Sequence, residues 1–94
     1  MEHFIVERFV PGITGESVRL WRQQIADSIT ALQLEAEVQY LGSELVSKDE
    51  TCFCFFDAST PSVIQRVNEH ARVPFERILS GEAVGSGARE GAHG

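Results

Sequence analysis

The chain has no Cys-x-x-Cys, no His-x-x-x-His and no Gly-x-Gly-x-x-Gly, so three frequent frameworks for metal, redox and dinucleotide chemistry are missing. Gly12-Ile13-Thr14-Gly15 is too short, and in the wrong context, to cradle a phosphate. Basic residues are few: 8 Lys and Arg stand against 14 Asp and Glu, a net charge of −6. The long-range field therefore has the wrong sign for non-specific contact with nucleic acid or an anionic membrane. No base-stacking RNP pattern marks the strands, which disfavours the RNA-binding form of a small α+β sheet. No window approaches the roughly 20 apolar residues that a membrane-spanning helix needs. Met1-Glu2-His3 carries no basic stretch of the kind that opens a signal peptide, so no secretory leader is expected. There are two cysteines, Cys52 and Cys54, placed two apart in one strand pattern. They share a face there, a poor geometry for a mutual disulfide, and reduced thiols in a cytoplasmic protein are expected.

What the chain does have is arranged around Thr51-Cys52-Phe53-Cys54-Phe55-Phe56-Asp57, a short apolar run with polar flanks. Aromatics pack well on a pleated surface, and the run reads as a strand buried on both faces. Before it, Phe4 to Val10 alternates as a first strand, with Phe4, Val6, Arg8 and Val10 on one face and His3, Ile5, Glu7 and Phe9 on the other. Pro11-Gly12 stops that strand. Thr14 is suited to cap a helix over 15–33, along which Val18, Trp21, Ile25, Ile29 and Leu32 recur as one apolar stripe. Arg19, Arg22, Gln23 and Asp27 fall off that stripe.

Val38 to Val46 reads as a second strand, with Gly42 marking a bulge or a close approach. It pairs antiparallel with the central strand through the polar turn at Lys48-Asp49-Glu50. Thr60-Pro61 opens a second helix, whose apolar face is Val63, Ile64, Val67 and Ala71 and whose end is set at Pro74. A short last strand lies around Arg77-Ile78-Leu79. The order is β-α-β-β-α-β, the ferredoxin-like sandwich: a four-stranded antiparallel sheet with both helices on one face and the first and third strands in the middle. Residues 1–84 form this one domain, and 85–94, glycine-rich and without large apolar residues, are expected to be a disordered tail. The open sheet face presents an apolar row from the central strand, and a homodimer covering it is expected.

Three polar residues could converge in such a sandwich. Glu7, mid-strand beside Ile5 and Phe9, needs a partner such as a nearby arginine or a raised pKa. Cys54 sits in the central strand, and His70 at the border of the second helix's apolar stripe. A carboxylate, a thiol and an imidazole together would make a metal site or an acid–base pocket. Two of these also have a plainer reading: a small buried hydrophobe for Cys54, as for Cys52, and a helix-surface residue for His70. His3 reads as solvated.

Phe4-Ile5-Val6-Glu7-Arg8 with Pro11-Gly12, the Cys54 strand ending in Phe56-Asp57-Ala58, and Val63 through His70-Ala71-Arg72 followed by Pro74-Phe75-Glu76-Arg77-Ile78 resemble a small bacterial domain family of unknown function. That family is described in places as nickel-binding and ferredoxin-like, and is similar in plan to the dimeric α/β-barrel superfamily. The resemblance covers about residues 3–82 and marks Glu7, Cys54 and His70 as matching positions, hence metal ligands for a divalent ion such as nickel. The family usually carries a histidine where this chain has Gly42, so Tyr40 or Glu44, expected on the same face, would have to substitute, or the space would open a pocket. Two readings follow. One is a dimeric nickel-binding protein. The other is a cofactor-independent isomerase, cyclase or monooxygenase with Glu7 or His70 as general base in a small-molecule pocket lined by Trp21, Tyr40 and Phe56. A non-catalytic interaction module is the third.

Overall fold

The central strand, Thr51–Ala58, alternates strictly: Cys52, Cys54, Phe56 and Ala58 are buried, and Thr51, Phe53, Phe55 and Asp57 are only partly covered. A computed structural model describes residues 1–82 and Val84; the expected 85–94 tail lies outside the described residues. In chain order the elements are β1 (Glu2–Phe9), α1 (Gly15–Ala31), β2 (Val38–Val46), β3 (Thr51–Ala58), α2 (Pro61–Ala71) and β4 (Arg77–Gly81), with one 3-10 turn at Ser47–Asp49 between β2 and β3. The sheet order is β2-β3-β1-β4, antiparallel throughout, which is the expected ferredoxin-like α+β arrangement. One core joins the sheet to the helices through Phe4, Val6, Cys54, Phe56, Ile25, Ile29, Ile64 and Val67. The central strand is thus covered fully on one face only, not on both as its composition suggests.

Local chemistry places the helix ends. Thr14 caps α1: its hydroxyl accepts from the Ser17 amide, and Ser17 reciprocates to the Thr14 backbone. Thr60 caps α2 in the same manner from the Val63 amide, with Pro61 in the first turn, where no donor is missed. The second helix ends at Ala71, not at Pro74. Arg72 adopts a left-handed conformation (φ 59°), and the Val73 amide turns back to the Asn68 carbonyl, which closes the helix before the proline is reached.

β2 is regular except at Leu41. Tyr40 pairs with Phe56 and Gly42 with Phe55, so Leu41 is the extra residue of a β-bulge. The bulge resets the alternation. Tyr40 faces the helices, whereas Gly42 and Glu44, opposite Phe55 and Phe53, face the open side. Tyr40 and Glu44 therefore do not share a face with each other, contrary to the expectation, and the room left at Gly42 is on the open face. Gly42 has φ +143°, and a Cβ built there meets nothing within 4 Å. Its requirement is for backbone conformation, not space. Gly42→Ala is expected to lower the unfolding free energy by about 1–3 kcal/mol in urea denaturation; a loss below about 0.5 kcal/mol would mean that the bulge tolerates a side chain without strain.

Candidate functional site

Arg8 occupies a position in β1 where the pattern calls for a hydrophobe, between Val6 and the strand end on the helix-facing side. It is wholly buried. A guanidinium in such surroundings costs several kcal/mol unless it is paired and hydrogen-bonded. Its Nε donates to Cys54 Sγ at 3.3 Å, its Nη1 donates to the Pro74 carbonyl at 3.1 Å, and its Nη2 finds no acceptor among the described residues. Among the described residues, Cys54 is the ionisable acid that hydrogen-bonds to this cation.

The surroundings of the sulfur favour the charged form. Cys52 Sγ lies 3.9 Å from Cys54 Sγ, and Ser43 Oγ lies 3.0 Å from it. The thiol of Cys52, then the Arg8 charge, then the Ser43 hydroxyl lower the Cys54 pKa against the opposing effect of burial, to about 6. Cys52 moves the other way: the hydrogen bond it donates to Cys54, and burial, push its own pKa up. Of the two, Cys54 is the thiol that ionises first and Cys52 the one that keeps its proton. Toward an ionised Cys54 the Ser43 hydroxyl donates, and Ser43 also shares a hydrogen bond with the Tyr40 hydroxyl. Burial raises the Tyr40 pKa, so the phenol keeps its proton. A continuous line, Arg8–Cys54–Ser43–Tyr40, runs across three strands to the edge of the sheet.

The expected convergence of Glu7, Cys54 and His70 is not found. Glu7 pairs with Phe53 and Arg77 on the open face, where Arg77 Nε donates to its Oε1 at 2.5 Å. Cys54 pairs with Val6 on the helix face, so the sheet itself separates carboxylate from thiol. His70 hydrogen-bonds through Nδ1 to Ser28 Oγ of α1 at 2.9 Å, linking the two helices. Of the expected pocket residues, Trp21 packs on the core and Phe56 is fully buried, its ring 5.3 Å from that of Tyr40. Only Tyr40 reaches a cleft, one of about 510 Å³ between α1 and β2, lined by Arg19, Arg22, Gln23, Ala26 and Tyr40. Neither Glu7 nor His70 lines it, so the expected general base does not face this space.

His3, expected to be solvated, has partners. Its Nδ1 lies 3.1 Å from Asp57 Oδ1, and its ring stacks parallel to Phe55 at 6.3 Å. The antiparallel register sets the start of β1 against the end of β3, which is what brings these two together. The open face thus has a His–Asp pair at one end, the Glu7–Arg77 pair near the other, and Ile5, Phe53, Phe55 and Leu79 between, all incompletely covered.

Over residues 4–80 the sequence matches the family described as "Nickel responsive protein SCO4226-like". The chain belongs to this family. The crystal structure of SCO4226 from Streptomyces coelicolor A3(2) has a TM-score of 0.72 to it at 19% identity, over 87% of this chain and 98% of that one, which establishes the shared fold. No curated protein matches the chain. Membership in a nickel responsive family raises the question of a ligand set. Nickel takes imidazole, carboxylate or thiolate donors. Among the described residues, no three of His, Cys, Asp and Glu stand together. Cys54 faces a guanidinium, a fixed positive charge where a cation would have to approach, and Glu7 is held by Arg77. A complete nickel site is therefore not formed by the described part of one chain of this family member, and Glu7, Cys54 and His70 do not fit as one. No helix of the described residues is long and apolar enough to cross a membrane.

Proposed function

We propose that this chain is a homodimeric nickel-binding protein whose metal is held between two copies at the open sheet face. His3 and Asp57 of each copy supply the donors. Membership in a family described as nickel responsive supports nickel as the metal. The observation that carries the location is the His3–Asp57 pair, 3.1 Å apart on the uncovered side of the sheet, with side chains 23% and 36% exposed. Two donors are too few to hold nickel against water. A two-fold dimer presents the same patch twice, so a pair lying close to the axis becomes a set of four. The apolar row of Ile5, Phe53, Phe55 and Leu79 gives such a dimer its driving force, because a second copy removes it from water.

Calorimetric titration of the full chain with Ni2+, run beside sedimentation velocity, tests this directly. The expected result is one nickel per two chains, with affinity lowered at least tenfold in His3→Ala and in Asp57→Asn. The dimer should persist in both variants, and His70→Ala should bind as the parent does. Unchanged affinity in His3→Ala, or saturable binding by a monomer, would remove the site from the open face.

A further inference from the structure

The cleft between α1 and β2 has a chemistry of its own, remote from the open face. Its walls come from one side of α1, where Arg19, Arg22, Gln23 and Ala26 recur at i, i+3, i+4 and i+7, and from the Tyr40 ring on β2. Both arginines are exposed, and neither has a carboxylate partner among the described residues, whose ion pairs are His3–Asp57 and Glu7–Arg77. Glu16, one turn before Arg19, forms no ion pair with it among the described residues, and Asp27, further along the helix, is engaged by the Gln23 amide at 2.9 Å. In a chain of net charge −6, two unneutralised guanidinium groups bordering one cavity make a local inversion of the overall field. Guanidinium forks match carboxylate and phosphate oxygens in a planar, two-point geometry. Ala26, the arginine stems and the face of Tyr40, braced from behind by Phe56, supply an apolar wall beside that charge. The volume, about 510 Å³, falls in the range of small-molecule sites.

We infer that this cleft binds a small organic anion, its carboxylate or phosphate oxygens held by Arg19 and Arg22 and its apolar body laid on Tyr40. The phenol is kept neutral by burial and its hydroxyl is engaged with Ser43, so it offers a ring without repelling the anion. This binding is independent of nickel and of the dimer.

The test is a titration of the isotopically labelled full chain with benzoate, with its neutral analogue benzamide, and with inorganic phosphate, followed by amide shifts. Benzoate is expected to perturb residues 19, 22, 23, 26 and 40, and its affinity to fall about tenfold or more in Arg22→Gln and in Arg19→Gln. Arg66→Gln, which removes an exposed arginine of α2, should bind as the parent does. Because Tyr40 is the chain's one tyrosine, its ionisation can be followed at 295 nm. Saturating benzoate should raise its midpoint, since a bound anion disfavours the phenolate. If phosphate binds with the same arginine dependence and more tightly than benzoate, the anion site stands and its natural occupant is phosphate-bearing. Equal binding of benzamide, equal loss in Arg66→Gln, or no perturbation around the cleft overturns the assignment.

Discussion

Arg8→Ala is expected to lower the unfolding free energy by about 3–5 kcal/mol, a third or more of what a domain of this size commonly has. Two costs add. The substitution leaves Cys54 and the Pro74 carbonyl without the donor that reaches them at 3.3 and 3.1 Å, and it empties the volume of a side chain that is 0% exposed. Arg8→Met separates them. It keeps most of the volume, and without the cation beside it Cys54 is free to hold its proton, so no charge need stay buried. The methionine variant should therefore be clearly more stable than the alanine variant. Its Cys54 should titrate at higher pH, followed by thiolate absorbance at 240 nm in Cys52→Ala backgrounds. Urea denaturation of the two proteins decides the matter. An alanine variant within about 1 kcal/mol of the parent would show that the guanidinium contributes no net stability.

The same residue shows how far the sequence can be read. The alternation of β1 already put Arg8 on one face with Phe4 and Val6, and that assignment holds. A charge in an apolar register is the signal in the sequence for the buried site, and it stands apart from the carboxylate, thiol and imidazole pattern of a metal centre. The alternation also put Glu7 on the opposite face from Arg8, but which face of β3 meets it depends on register, and a one-residue slip inverts the answer. The observed pairing sets Glu7 against Phe53 and Val6 against Cys54, so the carboxylate and the thiol lie on opposite sides of the sheet. Register also explains His3, which looks solvated at the end of its strand until β3 runs back past it and delivers Asp57. The bulge was legible at Gly42, yet its effect was not, because the extra residue, Leu41, changes which face Tyr40 occupies. Elements with strong local signals, the two capped helices and four strands, were readable. The partners of each polar side chain depended on pairings between distant segments.

The second large effect is on the pH dependence of stability, and the two thiols act in opposite directions. Cys54 in the folded chain is held down at about 6, below the roughly 8.5 of an unfolded cysteine. A depressed pKa contributes stability above the unfolded value and loses it as pH falls through the folded one, so this residue's contribution grows from about pH 6 to pH 8.5. Cys52 is raised, so its contribution is full below the unfolded value and declines as pH climbs past it. Together they produce a maximum near pH 8–8.5, with the acid limb worth on the order of 1–3 kcal/mol. Calorimetric melting under reducing conditions across pH 5.5–10 should trace it. Cys54→Ala removes the thiolate that Cys52 donates to and that Arg8 faces, so both limbs should flatten in that variant. Cys52→Ala removes the group behind the alkaline limb and the donor to Cys54, so the alkaline limb should flatten while the Cys54 pKa rises and the acid limb shortens without vanishing. A parent-like profile in Cys54→Ala would assign the pH dependence to other groups, and the charge opposite Arg8 would then have to be sought elsewhere than on this sulfur.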